Sequence, residues 1–183
     1  MVFLRQFKAA MAIVAFVCSL GHPTANAQNN SLYDWQPCPS SLAEEGGKEP
    51  NRKWDVTFSP YAYHWNTNPE HKRVNLFAID SHMSGGRFCG IAIFTNSFGQ
   101  PSAYAYVGEQ WDNMFGNPKL FSKISGGLIY GYKGKHQDKL PFNDLGVAPV
   151  IIPSLGYAVT PTDSAQVFVL GTAGLLFAYA HSF

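Results

Sequence analysis

The last nine residues, 175–183, read LLFAYAHSF and alternate between large apolar and small side chains. Successive side chains of a strand point to opposite faces, so the large residues share one face: Leu175, Phe177, Tyr179 and Phe183. The opposite face carries Ala178, Ala180 and Ser182, a small-residue face that suits the inside of a narrow barrel. An aromatic residue at the end of an alternating strand is also typical of bacterial outer-membrane barrels. This stretch therefore predicts a barrel strand with one side toward lipid.

Seven more strand-like runs lie between residue 54 and this stretch, each rich in aromatic or β-branched residues and closed by turn residues. The eight predicted strands are residues 54–65, 73–82, 88–98, 103–111, 120–132, 145–159, 165–170 and 175–183. In the fifth strand one face carries Leu120, Ile124, Leu128, Tyr130 and Tyr132, and the other carries Lys123, Ser125 and Gly127. Strands of about 9–11 residues cross a bilayer at a tilt, and closing the sheet removes its lipid-exposed edges. We therefore predict that residues 53–183 form an all-β fold, an eight-stranded antiparallel transmembrane β-barrel.

The composition supports a β protein with one wet and one apolar side. Charged residues make up 14% of the chain and aromatic residues 15%, against about a quarter charged in an average soluble domain. A soluble β-sandwich would alternate too, but its outward positions would carry far more Lys, Glu and Asp. The formal net charge of +1 argues against a nucleic-acid partner, which needs a basic stripe. We expect a membrane-embedded monomer that uses no metal and no cofactor.

Residues 1–27 predict a signal peptide. Arg5 and Lys8 precede an apolar stretch, residues 9–20, and Ala25-Asn26-Ala27 forms a small-x-small cleavage site. A membrane anchor is the alternative, but the stretch is shorter than the roughly 20 residues that span a bilayer. The signal would deliver the chain to the periplasm, and we expect the protein in the bacterial outer membrane.

Residues 28–52 predict a periplasmic leader that is polar and broken by prolines and glycines. Leu32, Tyr33 and Trp35 would let it rest on a bilayer surface as a short amphipathic helix, and an unstructured leader is the alternative. The leader carries Cys38, and the third strand carries Cys89. An exported protein can join two such cysteines, but their spacing does not favour a bridge, because the geometry cannot be read from sequence.

Two strands predict an apolar barrel interior. Residues 91–94 and 150–152 are apolar on both faces, so the face that does not meet lipid points into the barrel. The interior of a porin is polar instead. An eight-stranded barrel has room for its side chains or for one slim ligand, and a hydrocarbon chain suits an apolar lumen. We predict an acyl-chain pocket.

Pro149 and Pro153 flank the apolar part of the sixth strand. Proline cannot donate to a strand ladder, so the two prolines predict a place where neighbouring strands part. Such a gap would let an acyl chain pass sideways from the membrane into the barrel. A bulge without a function is the alternative.

Strand counting brings three polar residues to one rim of the barrel. If both termini lie in the periplasm, the first and third strands run outward and end near His64 and near Asn96 and Ser97. We predict that Ser97 and Asn96 face His64 at this outer rim. The outer loop of residues 133–144 adds lysines that would meet lipopolysaccharide phosphates, unless it is simply a solvated loop.

Three motifs in this order resemble those of one enzyme family. Residues 60–64, PYAYH, are similar to its first strand, which ends in an aromatic–His pair. Residues 94–98, FTNSF, are similar to its Phe-x-Asp-Ser-aromatic motif, and residues 148–157, APVIIPSLGY, to its proline-flanked sixth strand. From about residue 54 to residue 183 the chain resembles the outer-membrane lipid A palmitoyltransferases, the PagP family.

The resemblance implies an eight-stranded barrel whose apolar pocket holds one acyl chain. It implies an enzyme that moves palmitate from the sn-1 position of a phospholipid donor to a hydroxyacyl chain of lipid A in lipopolysaccharide. By resemblance, His64 and Ser97 match two of the family's three essential polar residues, and Asn96 stands where the family has Asp. Gly108 matches a pocket-floor glycine that sets the acyl length, so palmitate is the expected chain.

Acyl transfer between lipids needs a base for the incoming hydroxyl and donors for the developing oxyanion. His64 is the base candidate, because an imidazole titrates near neutral pH. Ser97 is either a nucleophile activated by His64 or a donor to the oxyanion, and direct transfer without an acyl-enzyme is slightly favoured. Asn96 would orient His64 or complete the oxyanion site. Asn96 offers no counter-charge, which leaves three alternatives: a weaker enzyme, another carboxylate such as Asp80 in that role, or a reaction that does not rely on the charge.

Two other functions fit the sequence less well. A non-catalytic barrel that adheres or binds lipid would have a polar interior and no need for prolines that flank a strand. A lipid A deacylase is suggested by His181 and Ser182, but it would use a His-x-Ser spacing and a later carboxylate, and only Phe183 follows. The strand count also puts His181 at the periplasmic end.

Overall fold

Residues 53–183 fold into one closed antiparallel barrel in the computed structural model. Its strands are β1 (Trp54–His64), β2 (Leu76–His82), β3 (Arg87–Thr95), β4 (Pro101–Trp111), β5 (Leu120–Tyr130), β6 (Val147–Ala158), β7 (Asp163–Val169) and β8 (Gly174–Ser182). Each strand pairs with the next, and β1 pairs with β8 to close the sheet. The predicted eight-stranded antiparallel β-barrel is confirmed, because all eight predicted runs form strands.

The structure describes residue 38 and residues 53–183. The predicted signal peptide and nearly all of the predicted leader, residues 1–37 and 39–52, lie outside the described residues. Three 3-10 turns lie between strands: Ser84–Gly86, Met114–Gly116 and Gly134–Lys139. No helix in the described part of the chain is long and apolar enough to cross a membrane.

Side chains alternate between the barrel interior and its outer surface. On β6, Ile151 is 72% exposed, whereas Ala148 is completely buried. The outer surface between the ends of the barrel carries large apolar residues: Val56, Phe77, Ile79, Ile93, Val107, Ile124, Leu128, Ile151, Leu155, Val169 and Phe177. Exposed apolar surface of this extent marks a region that meets a partner or a membrane.

The two ends of the barrel differ in what they carry. The upper end is defined here as the end where β1 finishes at His64 and β3 at Thr95. The lower end holds the start of β1 and the end of the chain, where the Phe183 N–H donates to the Trp54 carbonyl at 2.9 Å. Antiparallel pairing therefore brings the ends of β1 and β3 to the same rim, as strand counting predicted.

Two strand ladders are incomplete in the upper half. The β1–β2 ladder covers Trp54–Ser59, and the β6–β7 ladder covers Ser154–Ala158. β5 and β6 stay paired through Pro149 and Pro153. The N–H groups that these two prolines lack are therefore missing from the other edge of β6, which faces β7. The strands β6 and β7 therefore part above Ser154, where the two prolines predicted a gap.

A disulfide joins Cys38 to Cys89, with their Cα atoms 5.5 Å apart. Cys89 is paired in register with Ser81 of β2, and it follows Phe88, which is buried inside the barrel. Alternation therefore turns Cys89 outward, where a residue outside the barrel can reach it. The sequence did not favour this bridge, and the structure corrects that expectation.

Candidate functional site

His64 and Ser97 are in hydrogen-bonding contact at the upper end of the barrel. The His64 Nε2 atom lies 2.6 Å from the Ser97 Oγ atom. His64 is held by pairing with Gly174 of β8, and Ser97 follows β3 in a tight turn. A histidine nitrogen at this distance from a hydroxyl has the geometry of a base beside the nucleophile that it activates. The predicted contact between these two residues is present.

Asn96 is 1% exposed and uses its side chain to hold the turn that presents Ser97. Its Oδ1 atom accepts from the backbone N–H groups of Phe98 and Gln100, both at 3.0 Å. Its Nδ2 atom donates to the Gly131 carbonyl at 3.3 Å and to the Gln100 side chain at 3.4 Å. None of these bonds reaches His64, so the prediction that Asn96 orients the His64 ring is wrong, whereas its role at the oxyanion site stays a prediction. A short side chain that caps its own turn cannot also orient a neighbouring ring.

The connection between β1 and β2, residues 65–75, crosses the turn that carries Ser97. The Lys72 N–H donates to the Ser97 carbonyl at 2.7 Å. This bond places His71 beside the site, with its ring centroid 4.1 Å from that of His64. His71 carries no signal in the sequence, because it lies in a connection without any periodic pattern.

A cavity of about 730 Å³ runs down the barrel interior from the upper end. Its walls are mainly aliphatic and aromatic: Leu76, Ala78, Ala92, Phe94, Ile129, Val150, Ile152 and Leu176. Ser97 lies on the lining of the same cavity. The volume falls within the range of about 300–1,000 Å³ that is usual for small-molecule sites. The predicted apolar interior is therefore present, and Ser97, the hydrogen-bond partner of His64, lines it.

Tyr132 turns into the cavity instead of outward. β5 ends at Tyr130, and Gly131 has a φ of 130°, so the alternation of β5 does not continue to Tyr132. Tyr132 lines the cavity, and burial raises the pKa of its phenol to about 12. The phenol is therefore protonated at neutral pH. The prediction that Tyr132 shares the outward face of the fifth strand is wrong.

A cluster of charged residues closes the lower half of the interior. Lys123 is 5% exposed, and its Nζ atom lies 3.2 Å from Asp55 Oδ2 and 3.9 Å from Asp80 Oδ2. His82 Nε2 lies 2.8 Å from Asp55 Oδ2, and the Tyr106 hydroxyl donates to Asp80. The two carboxylates and the imidazole have the spacing of a metal site, but the Lys123 ammonium already supplies a cation between the carboxylates. Lys123 therefore serves as the counter-charge of Asp55 and Asp80.

The charged cluster bears on the counter-charge predicted for His64. Asp80 belongs to this cluster, so it does not serve as a counter-charge for His64. Asp55, Asp80 and Lys123 occupy inward positions of predicted strands in a chain with few charges. That inward pattern was the available signal for the cluster, although it does not reveal which charges meet across the barrel.

Gly108 lies beneath Phe88 and is not part of the cavity wall. A Cβ atom at Gly108 would come 2.4 Å from the Phe88 Cζ atom and 2.4 Å from the Ile124 carbonyl oxygen. The cavity floor is formed instead by Phe88, Tyr106 and Lys123. The expectation that Gly108 forms the floor is therefore wrong, because a ring from the neighbouring strand fills the space that the glycine leaves.

The prolines and lysines predicted to meet lipid lie in different places around the cavity. Pro149 lines the cavity at the gap between β6 and β7, and Pro153 lies further down the same face of β6. In the loop of residues 133–144, Lys139 lines the cavity, whereas Lys135 pairs with the exposed Glu70. The hydrogen bond from Lys135 lowers the pKa of the Glu70 carboxyl.

His181 and Ser182 point to opposite sides of β8. The His181 Nδ1 atom lies 2.8 Å from Asp163 Oδ1, whereas the Ser182 hydroxyl donates to Asp55 Oδ1 inside the barrel at 2.6 Å. Both residues lie at the lower end. They do not form a base–nucleophile pair, which removes the basis for a deacylase site there.

Comparisons with known proteins bear on the fold alone. No protein-family model and no curated protein matches the chain. A solved structure described as "De novo design of transmembrane beta-barrels" is similar to it, with a TM-score of 0.53 and 13% sequence identity. The similarity covers 75% of this chain and 98% of that one. At this identity the similarity supports the barrel architecture and carries no information about activity.

Proposed function

We propose that the protein is an outer-membrane acyltransferase that moves a palmitoyl chain from the sn-1 position of a phospholipid to lipid A. One observation carries the proposal: Ser97, which is hydrogen-bonded to His64, lines a deep apolar cavity at the same end of the barrel. A base, a hydroxyl and a slot for a hydrocarbon chain are the three parts that acyl transfer between lipids requires.

The outer surface supports a membrane location. An apolar band surrounds the middle of the barrel, and exposed aromatic residues lie near both ends: Tyr61, Tyr63 and Trp65 above, and Trp111, Tyr157 and Phe183 below. Aromatic girdles on either side of an apolar band are a feature of transmembrane β-barrels. A closed sheet also satisfies the backbone hydrogen bonds that lipid cannot.

The incomplete ladders support entry of lipid from the side. Above Ser154 the wall between β6 and β7 lacks paired backbone, and Pro149 lines the cavity at that gap. An acyl chain can therefore move from the bilayer into the cavity while the polar headgroup stays outside. Lys139, which also lines the cavity, is a cation available to a phosphate of either lipid.

The 2.6 Å contact favours Ser97 as the nucleophile over the direct transfer that the sequence suggested. His64 accepts the Ser97 hydroxyl proton as Oγ attacks the ester carbonyl of the donor. The intermediate breaks its C–O bond, and His64 returns the proton to the departing lysophospholipid oxygen, which leaves an acyl-Ser97 ester. A lipid A hydroxyl then attacks this ester, His64 takes its proton, and the proton returns to the Ser97 oxygen.

Lipid A mass spectrometry tests the proposed function. Cells that express the wild-type chain should gain one palmitoyl group on lipid A, and cells with His64→Ala or Ser97→Ala should not. Removal of a catalytic base usually costs about 10²–10⁴-fold in rate. An unchanged lipid A profile in wild-type cells would reject the activity. An added chain in both variants would reject the assignment of the site and leave the activity standing.

A further inference from the structure

The orientation of His64 is not set by a carboxylate. Within residues 53–183, the hydrogen bond to Ser97 is the one that the His64 side chain makes. Asn96 is held by its own turn, and Asp80 lies in the charged cluster. A catalytic imidazole normally needs a third group that fixes its orientation and tautomer. Another feature of the site must therefore hold this ring.

Four rings form a continuous column at the upper end of the barrel. The His71 ring packs on the His64 ring with centroids 4.1 Å apart and planes at 34°. The His71 ring also meets the edge of Phe98, at 5.7 Å and 64°. Phe98 in turn stacks on the buried His136 ring at 3.9 Å and 13°. The column therefore links the end of β1 to the connection between β5 and β6.

Backbone hydrogen bonds fix the position of His71 relative to the turn that carries Ser97. The His71 N–H donates to the Asn68 carbonyl at 2.9 Å, and the next residue, Lys72, donates to the Ser97 carbonyl at 2.7 Å. Phe98, which supports the other side of His71, directly follows Ser97. The His71 ring contacts the His64 base, and the Ser97 hydroxyl faces the same base. Backbone hydrogen bonds therefore hold His71 and Ser97 together.

We propose that His71 is a positioning residue, whose ring holds the His64 imidazole with Nε2 toward Ser97. The role rests on the proposed function, because it serves the base of that reaction. A ring fixed at van der Waals distance restricts rotation of its neighbour, which a carboxylate would otherwise do through a hydrogen bond. A site without a carboxylate beside its histidine can thus keep a productive geometry.

Two variants test whether the proposed role of His71 needs only an aromatic ring or also the ring nitrogens. His71→Ala removes the contact, and we expect kcat for acyl transfer to fall about 100-fold, as for a misplaced catalytic group, with KM unchanged. His71→Phe keeps a ring of similar size and should restore most of kcat. Equal thermal unfolding of the three proteins would show that the barrel itself is intact. A wild-type kcat in His71→Ala, or no rescue in His71→Phe, would overturn the positioning role.

A spectroscopic measurement tests the orientation without relying on catalysis. In the protein labelled at its histidine nitrogens, NMR should show His64 as one tautomer, with the proton on Nδ1 and Nε2 accepting from Ser97. His71→Phe should keep that signature, and His71→Ala should replace it with averaged shifts. If wild-type protein transfers no acyl chain but shows these shifts, the proposed function fails and the role of His71 stands. Unchanged shifts in His71→Ala would overturn the role of His71.

Discussion

The lower half of the barrel interior is held by paired charges, whereas the upper half contains an apolar cavity. Below, Lys123 meets Asp55 and Asp80 across the barrel, and the ladders between β1 and β2 and between β6 and β7 are formed. Above, the same ladders are missing, and an apolar cavity of about 730 Å³ separates the walls. The half that is held together most firmly contains none of the residues proposed for acyl transfer.

This division explains how one small barrel can tolerate an empty interior. Unpaired backbone and unfilled volume both cost stability, so a region that contains them depends on support elsewhere. The charged cluster below the cavity closes the barrel and ties together strands β1, β2, β4 and β5. We therefore expect mutations below the cavity to change stability, and mutations at the His64–Ser97 pair to change activity.

The largest effect on stability should come from Lys123→Met. The substitution keeps the length of the side chain but leaves Asp55 and Asp80 buried without their cation, and breaking a buried ion pair costs about 3–5 kcal/mol. Urea unfolding of the protein in detergent micelles measures the change in the free energy of unfolding. The matched control is Lys135→Met, which removes a lysine that is 70% exposed in the upper half and should leave that free energy unchanged. An equal loss of unfolding free energy in the two variants would contradict the proposed difference in stability between the lower and upper halves.

A smaller loss of stability should follow Gly108→Ala. The added methyl group would meet the Phe88 ring and the Ile124 carbonyl, and overpacking of this kind costs about 1–3 kcal/mol. The Phe88 ring lines the cavity, so its displacement by the added methyl group should also shorten the acyl chain that the protein transfers. Chain analysis of the transferred acyl group checks this, and an unchanged chain length together with unchanged stability would contradict the contact between position 108 and Phe88.

The smallest effect should come from Asn96→Asp, which introduces the residue found in the motif that residues 94–98 resemble. A carboxylate cannot donate to the Gly131 carbonyl, so that acceptor loses its partner at a cost of about 1–2 kcal/mol. We expect a lower melting temperature and no gain in kcat, since the side chain does not reach His64. A gain in kcat would show that a carboxylate at position 96 does act on the base.

The fold was predictable from sequence to the extent that it rests on local alternation. Strands such as β5 and β8 follow a period of two, and turn residues separate the strands, so their existence and order could be read directly. Strand counting alone placed His64 and Ser97 at the same rim. Contacts that depend on side chains crossing the interior, such as Lys123 with Asp80, leave no periodic trace.

Two site predictions failed for reasons that lie in the turns. Asn96 was assigned to catalysis because of the motif around it, whereas its amide is engaged in a turn whose partners include Gly131, 35 residues later. Tyr132 was placed on the outer face because its strand was drawn two residues too long. Strand ends and turn hydrogen bonds depend on tertiary neighbours, which a single sequence does not show.

The central claim is that the His64–Ser97 pair transfers an acyl chain between lipids. The most direct measurement mixes purified protein in detergent micelles with lipid A and a phospholipid that carries an isotope-labelled palmitoyl chain at the sn-1 position. We expect the label to appear on lipid A with the wild-type protein, and to be lost with Ser97→Ala although that variant unfolds at the same temperature. Absence of label on lipid A with the wild-type protein, or equal labelling by Ser97→Ala, would contradict the claim.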